Sequence, residues 1–450
     1  MRKLGIVVVL MACGDDGGRH TPDATPHADG AVDSAADAPV APVTIAAIRD
    51  QQPVMGVHVY FQNADSSVVL ATTTDANGIA SAVMAPGGYV TAVNPFTLPA
   101  LGGVQQDELD TFVGVKPGDH LVLKRVFVAT TQTMTVTAPL DANMTGFAAY
   151  SPCNTTGTQL APPPSLMLVQ GAMSGSMSLN NCGAATDVLV VASNGSASEY
   201  VYASNLPVVD QGTLDLSGGT YVAATSRTLM YTNIPAAQSV SFQDNLIDPM
   251  GPIFTILNET PAGSAASSTF DVPLFTGASD VLETFFNDRS WSRQILLDWG
   301  ALGSAYSADV GSRALNDFTG PPAFDPSTKQ ASVPVDTTTG GAPDFSIFFM
   351  TASRSTTRRW QWSVAAPWGA NVTLPTVPTD VFDFNIGSGD TVGINGWVTG
   401  KVPGGYDAVR SLLLSTSGPQ DIAIGNAGMA SFVQSQQPLT IARSLRHRWH

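Results

Sequence analysis

Residues 53–94 read PVMGVHVYFQNADSSVVLATTTDANGIASAVMAPGGYVTAVN. Val57, Val59 and Phe61 alternate with His58 and Tyr60, the period of two that sends successive side chains to opposite faces of a strand. Apolar runs at Val68-Val69-Leu70, Ile79 to Met84 and Tyr89 to Val93 follow, each bounded by turn residues. Asp75-Ala76-Asn77-Gly78 is a turn for a physical reason, since Asx side chains hydrogen-bond the nearby backbone and glycine accepts a positive φ. Gly87-Gly88 supplies the next one. Short strands repeating about every ten residues predict a β-sandwich.

Three segments of this region carry a family resemblance. Pro53-Val54-Met55-Gly56-Val57-His58-Val59, Thr74-Asp75-Ala76-Asn77-Gly78-Ile79-Ala80 and Pro86-Gly87-Gly88-Tyr89-Val90-Thr91 together resemble a carboxypeptidase-regulatory-like or bacterial Ig-like module covering residues 44–125. The resemblance implies a sandwich fold and an accessory role. Modules of that kind hold no catalytic residues, so none is carried over.

The rest of the chain continues in the same style. Strand patterns recur at Thr133 to Thr137, Gly146 to Tyr150, Asp187 to Ala192, Thr269 to Phe275, Leu282 to Phe286, Phe345 to Met350, Trp360 to Val364 and Thr391 to Val398. Gln159 to Pro164 reads as a loop, because three prolines cannot sit within a central strand. Helical spacings are few: Val310, Ala314, Leu315 and Phe318 would share a helix face that Gly311 interrupts, and Tyr406, Val409 and Leu413 fit a helix or a strand. Thr133–Tyr150, Ser268–Phe286 and Gln330–Phe349 echo one another as strand, polar turn and aromatic-ended strand. The expected class is all-β, with several tandem Ig-like or transthyretin-like β-sandwich modules after a disordered tether. The divisions are 44–125, 126–235, 236–330 (β-rich) and 331–450 (Trp-rich).

Composition agrees. Of 450 residues 44% are apolar, enough to build cores, and only 12% are charged, against a usual share of about 25%. Four Glu and five Lys are too few for a surface of long helices. A net charge of −16 argues against a nucleic-acid partner, which demands clustered cations.

The chain opens MRKLGIVVVLMAC. Arg2 and Lys3 form a basic start, Leu4 to Met11 an apolar run of eight, and Leu10-Met11-Ala12-Cys13 resembles a bacterial lipobox. Eight apolar residues fall short of the roughly 20 a transmembrane helix needs. The resemblance implies a signal peptide over 1–12, lipid on Cys13 and attachment to a membrane through it. A cleaved leader without lipid is the competing reading. Gly14 follows the cysteine where the inner-membrane retention signal has Asp, so the expected location is the outer membrane of a Gram-negative cell envelope. Residues 14–43, with six Asp, one Arg and many Ala, Pro and Gly, have no apolar period and read as a disordered tether after Cys13. The remaining cysteines, Cys153 and Cys182, are expected to pair, which an oxidising compartment permits.

Catalytic constellations are scarce. No histidine lies between 121 and 446, so a Ser-His-Asp or Cys-His site in the large central region would need His58 or His120 from the first module. Neither G-x-S-x-G, S-x-x-K, H-E-x-x-H nor a P-loop occurs. Asp75/Asn77, Asp141/Asn143 and Asp380/Asp383/Asn385 could offer oxygens to Ca²⁺. None follows the twelve-residue loop, and Asx turns explain all three. No metal, cofactor or catalytic residue is therefore assigned, and an enzyme is not expected. All seven tryptophans come after residue 290. Arg358, Arg359, Trp360 and Trp362 form a candidate ligand-binding strand, in which guanidinium groups and indoles could stack on a sugar or grip a partner. The competing reading is that these indoles fill the last core. The expected function is a surface-anchored envelope lipoprotein acting as a non-catalytic binding or structural protein with a protein or glycan partner. The alternative is a carbohydrate-binding or glycan-degrading protein using the Trp-rich region.

Overall fold

The computed structural model describes residues 40–49, 52–94, 97–98, 104–125, 131–160, 172–180, 182–234, 239–248, 251–260, 265–289, 292–300, 303–369, 371–412 and 428–435. The leader, Cys13 and the tether expected before residue 40, and the prolines at 162–164, lie outside them. The chain divides after Val40, and all the strands belong to the unit Ala41–His450. It is all-β apart from one short helix among the described residues, and no described helix is long and apolar enough to cross a membrane.

One strand plan is used three times and, in part, a fourth. The first sandwich runs β1 (Val43–Arg49), β2 (Gln52–Pro53), β3 (His58–Gln62), β4 (Val68–Thr73), β5 (Ile79–Ala82), β6 (Gly88–Asn94), β7 (Thr97–Leu98), β8 (Val104–Val115) and β9 (His120–Arg125). The second runs β10 (Thr131–Pro139), β11 (Gly146–Ser151), β12 (Asn154–Leu160), β13 (Ala172–Asn180), β14 (Ala185–Ser193), β15 (Ser198–Pro207), β16 (Thr213–Asp215) and the short β17 (Val222–Ala223). The third runs β18 (Thr225–Thr232), β19 (Ser239–Asp248), β20 (Gly251–Thr260), β21 (Ala265–Val272), β22 (Ser279–Arg289), β23 (Ser292–Gly300) and β24 (Ala305–Asp309). The fourth comprises β25 (Ala323–Asp325), β26 (Gln330–Ser332), β27 (Phe345–Ser355), β28 (Arg358–Pro367), β29 (Asn371–Thr373), β30 (Thr391–Lys401), helix α1 (Gly405–Leu412) and β31 (Gly428–Ser435).

In the first three, the opening strand pairs antiparallel on one side and parallel with the closing strand on the other, giving β5-β1-β9, β13-β10-β16 and β21-β18-β24. The facing sheets are β4-β3-β6-β8, β12-β11-β14-β15 and β20-β19-β22-β23. The fourth repeats the facing sheet as β28-β27-β30-β31, while in β25-β26-β29 an antiparallel β25 stands where a parallel closing strand would be. Alternating apolar residues drive each pairing by burying one strand face against the opposite sheet.

Three of the four facing sheets are joined edge to edge. The order β20-β19-β22-β23-β31-β30-β27-β28-β8-β6-β3-β4, with β7 alongside β8, forms one sheet of 13 strands. The seam between the third and fourth sandwiches is antiparallel, Ser292↔Ser435 to Trp299↔Gly428. The seam between the fourth and the first is parallel, Arg358↔Gln105 to Ala365↔Phe112. Opposite faces of the long sheet feed different cores. Val59, Phe61, Phe112, Ile295, Leu297, Phe345, Ala365 and Phe432 pack with the β5-β1-β9 sheet. Tyr60, Leu109, Phe348, Trp360, Trp362 and Trp397 pack beneath β26 and β29 on the other side. The second sandwich keeps its own core and sheets.

This strand order moves two of the expected divisions. The third sandwich begins at β18, upstream of 235, because β18 pairs with β21 and β24 of that sandwich. The fourth begins at β25, upstream of 330. The turn at Asp75 forms as read: its Oδ1 accepts the amides of Asn77 (2.8 Å) and Ile79 (2.9 Å), and Gly78 sits at φ +72°. The segment around Val310 to Phe318 is turns and two isolated bridges, while Tyr406 and Val409 belong to α1.

Candidate binding site: the Arg358–Trp362 strand

β28 carries every residue of the candidate ligand-binding group, and the structure gives those residues a different partner. Trp360 and Trp362 share a face, as expected, but they are 0% and 2% exposed. Neither indole offers a ring to a ligand, which corrects the stacking-platform expectation in favour of core packing. Trp360 lies edge-on to Phe382 and Phe384, at 5.9 and 6.1 Å between ring centroids. The Trp362 Nε1–H donates to Thr111 Oγ1 (2.9 Å), itself 2.9 Å from Thr91 Oγ1. Thr111 belongs to β8, so this bond crosses the parallel seam into the first sandwich.

Arg358 crosses it as well. Its guanidinium meets the buried carboxylate of Asp107 at 2.5 Å and lies 3.8 Å from the centroid of Phe382. Arg359 is half-buried on the opposite face of β28. The cost of breaking the pair falls on its Asp107 side, where the carboxylate is buried, while Arg358 is a quarter exposed. The helix α1 fastens the same seam from the other face. The Tyr406 hydroxyl reaches the carbonyls of Val113 (2.8 Å, first sandwich) and Ala365 (2.7 Å, fourth). Arg410 donates to Gly114 O (2.7 Å) and to Asp119 and Asp407.

The acidic loop that could have offered oxygens to Ca²⁺ is filled by a side chain. Arg354 donates to both carboxylate oxygens of Asp390 (2.9 Å each), to Asp383 O (2.9 Å) and to Asn385 O (2.8 Å). The hydrogen bond from Arg354 holds the Asp390 carboxyl below its ordinary range. Asp383 also caps the amide of Asn385 in an Asx turn (3.1 Å), and Asp380 accepts the Tyr60 hydroxyl (2.7 Å). Asp141 makes the Asx turn to Asn143 (2.7 Å). No cluster of metal-ligating side chains occurs among the described residues.

Sequence reasoning missed a buried charge cluster in the third sandwich. Arg227 of β18, 0% exposed, donates to Asp244 (2.5 Å), to both oxygens of Asp280 (2.9 and 3.0 Å) and to Gly303 O (2.8 Å). Burial pushes Asp244 up to about 7, against the pull of Arg227. A lone Arg within a Thr-rich strand gives no local signal, since its two partners come from β19 and β22. The cysteines do pair: a disulfide joins Cys153 and Cys182, with Cα atoms 5.5 Å apart.

No protein-family model matches the chain, and no curated protein does. Among solved structures it is similar to the Bacillus anthracis TIE protein, at 11% identity over 60% of this chain and 50% of that one, with a TM-score of 0.15. The chain thus spans about half the length of that match. It is also similar to BcpA, the major pilin subunit of Bacillus cereus, at 9% identity over 60% of this chain and 98% of the other, with a TM-score of 0.15. A tetra-tandem repeat from the extending region of a large adhesion protein aligns at 10% identity over 88% of this chain and 100% of its own length, with a TM-score of 0.12. Overlaps this loose carry no role across, and the fold rests on the strand pairing itself.

Proposed function

We propose that the protein is a non-catalytic structural or adhesive component of a bacterial cell envelope, held to the outer membrane by lipid on Cys13 and presenting stiffly joined sandwiches beyond its tether. The observation that carries this reading is the parallel seam. The side chains best suited to grip a ligand, Arg358, Trp360 and Trp362, are spent on joining two sandwiches or filling a core. On this reading the acidic stretch before residue 40 acts as the tether, and a coil of about thirty residues would span roughly 30 Å. The glycan-stacking alternative has no observation in its favour.

Metabolic labelling with palmitate tests the anchor. Label is expected on the wild-type chain and lost in Cys13→Ser, with the wild type in the outer-membrane fraction. Equal labelling of both, or none of either, would overturn the anchoring.

A further inference from the structure

Five asparagines stand in the Asn-x-Ser/Thr pattern that an oligosaccharyltransferase accepts: Asn143, Asn154, Asn194, Asn258 and Asn371. Geometry separates them. Transfer requires the side-chain amide, and the hydroxyl two residues on, to leave the surface and enter an enzyme cleft. Asn154, Asn258 and Asn371 lie in β12, β20 and β29, in register with Ser151, Phe242 and Ser332. Drawing them out breaks a backbone ladder. Asn194 is tied into its own turn. Its Oδ1 accepts the amides of Ser196 (3.0 Å) and Ala197 (2.9 Å) and the Ser196 hydroxyl (2.8 Å), and its Nδ2 donates to Asn143 O (3.2 Å).

Asn143 is placed differently. It is exposed in the turn between β10 and β11. Thr145 is exposed too, and its hydroxyl meets Ser193 O at a long 3.4 Å. Asp141 comes two residues before the asparagine, a position held by Pro152, Ala192, Ile256 and Gly369 in the other four motifs. Its Oδ1 accepts the backbone amide of Asn143 (2.7 Å), and that bond holds its carboxyl below the usual carboxylate range. The turn thus presents an anion, an amide and a hydroxyl at alternate positions of Asp141-Ala142-Asn143-Met144-Thr145.

We propose that Asn143 is a glycosylation site, receiving an N-linked oligosaccharide from a polyprenyl-diphosphate-linked donor. This rests on the proposed envelope location, since the pattern is used on surface loops of exported chains. Asn143 Nδ2 attacks the anomeric carbon of the first sugar. The bond from that carbon to the diphosphate oxygen breaks, and the polyprenyl diphosphate leaves with the electron pair. The proton lost from the amide goes to a carboxylate of the transferase. Thr145 and Asp141 are the handles, one by its hydroxyl and the other by its charge in a cationic groove. The turn is at the end of β10 and β11, whereas the joint with the third sandwich uses the sheet face at Tyr150, Tyr200 and Tyr202. A bulky, solubilising branch is therefore accommodated without moving that joint.

Two samples test the site. The full-length Cys13→Ser chain, incubated with a bacterial oligosaccharyltransferase and a polyprenyl-diphosphate-linked oligosaccharide, should gain one oligosaccharide mass, mapped by peptide mass spectrometry to Asn143. Asn143→Gln should lose the product. Asp141→Asn keeps an oxygen for the turn and removes the charge, so its transfer rate should fall about tenfold, as for one charge-assisted hydrogen bond. A circular dichroism spectrum matching wild type shows each variant to be folded, and a short Asp-x-Asn-x-Thr peptide shows the transferase to be active. The native chain from envelope membranes should carry an oligosaccharide at Asn143. No transfer in the reaction, transfer to another asparagine instead, or an unmodified native chain overturns the proposal. An unchanged rate in Asp141→Asn overturns the part given to Asp141. The reaction needs no export, so transfer to Asn143 beside failed palmitate labelling counts against the anchor alone.

Discussion

The second sandwich and the other three deal with their edges in opposite ways. β10 to β16 form two sheets of their own, with only the two-residue β17 added beside β15. They meet the third sandwich face-on, through Tyr150 edge-on to Phe254 (4.8 Å), Tyr202 stacked on Phe275 (4.0 Å) and the Tyr200 hydroxyl donating to Leu274 O. The first, third and fourth meet edge-on and share backbone ladders. The chain's one described disulfide sits in the sandwich that shares no sheet. A face-on contact buries side chains but leaves each backbone ladder complete, so either partner can unfold alone. An edge-on seam removes that freedom, because losing one sandwich leaves its neighbour's inner strand with unpaired N–H and C=O groups. Covalent reinforcement accordingly falls where sheet fusion is missing.

Trp360→Ala should break the fused side of this contrast most severely. Emptying a fully buried indole site costs about 3–5 kcal/mol, and urea titration should show the loss in the transition of the first, third and fourth sandwiches. The second sandwich's transition should stay in place. Replacing Cys153 and Cys182 with serine should do the reverse, lowering only the second sandwich's transition, by up to about 3.5 kcal/mol if loop-closure entropy dominates.

Asp244 sharpens the comparison through pH. Burial raises its pKa to about 7 in the folded protein, above its unfolded value of about 4. Between those values the folded state binds a proton that the unfolded state has released. Stability of the fused unit therefore falls as pH rises from about 4 to about 7, with a slope of roughly 1 kcal/mol per pH unit. Asp244→Asn should flatten that slope in thermal melts taken across the range, while the second sandwich, which lacks Asp244, is unaffected. Tyr406→Phe should have the smallest effect, about 1 kcal/mol for a hydrogen bond lost at the seam, read as a small drop in the fused unit's urea midpoint.

Much of each sandwich is legible locally. The Asp75–Gly78 turn, the alternation at Val57–Phe61 and the cysteine pair all follow from residue chemistry. Two of the three echoing segments, Thr133–Tyr150 and Gln330–Phe349, fall on the same step of the repeat, from β10 to β11 and from β26 to β27. Ser268–Phe286 falls on a different one, from β21 to β22. The seams are not legible, for a reason visible in β8 and β28. A strand paired on both sides and covered on both faces ordinarily reads as a continuous apolar run, yet these read VQQDELDTFVGV and RRWQWSVAAP. Their polar groups are internal partners: Asp107 holds Arg358 and Thr111 accepts from Trp362. Those pairs imitate a solvent-facing, ligand-gripping strand until the partner strand, more than 200 residues away in sequence, is in place. The Arg354 loop hides in the same way, since an acidic cluster looks like a cation site until its guanidinium is found.

Hydrogen exchange followed by mass spectrometry through a urea series tests sheet fusion most directly, because it reads each sandwich separately in the intact chain. Peptides from residues 43–125, 225–309 and 323–435 should open at one shared midpoint, with those from 131–223 opening at another. Three separate midpoints for the first, third and fourth sandwiches would contradict the fusion.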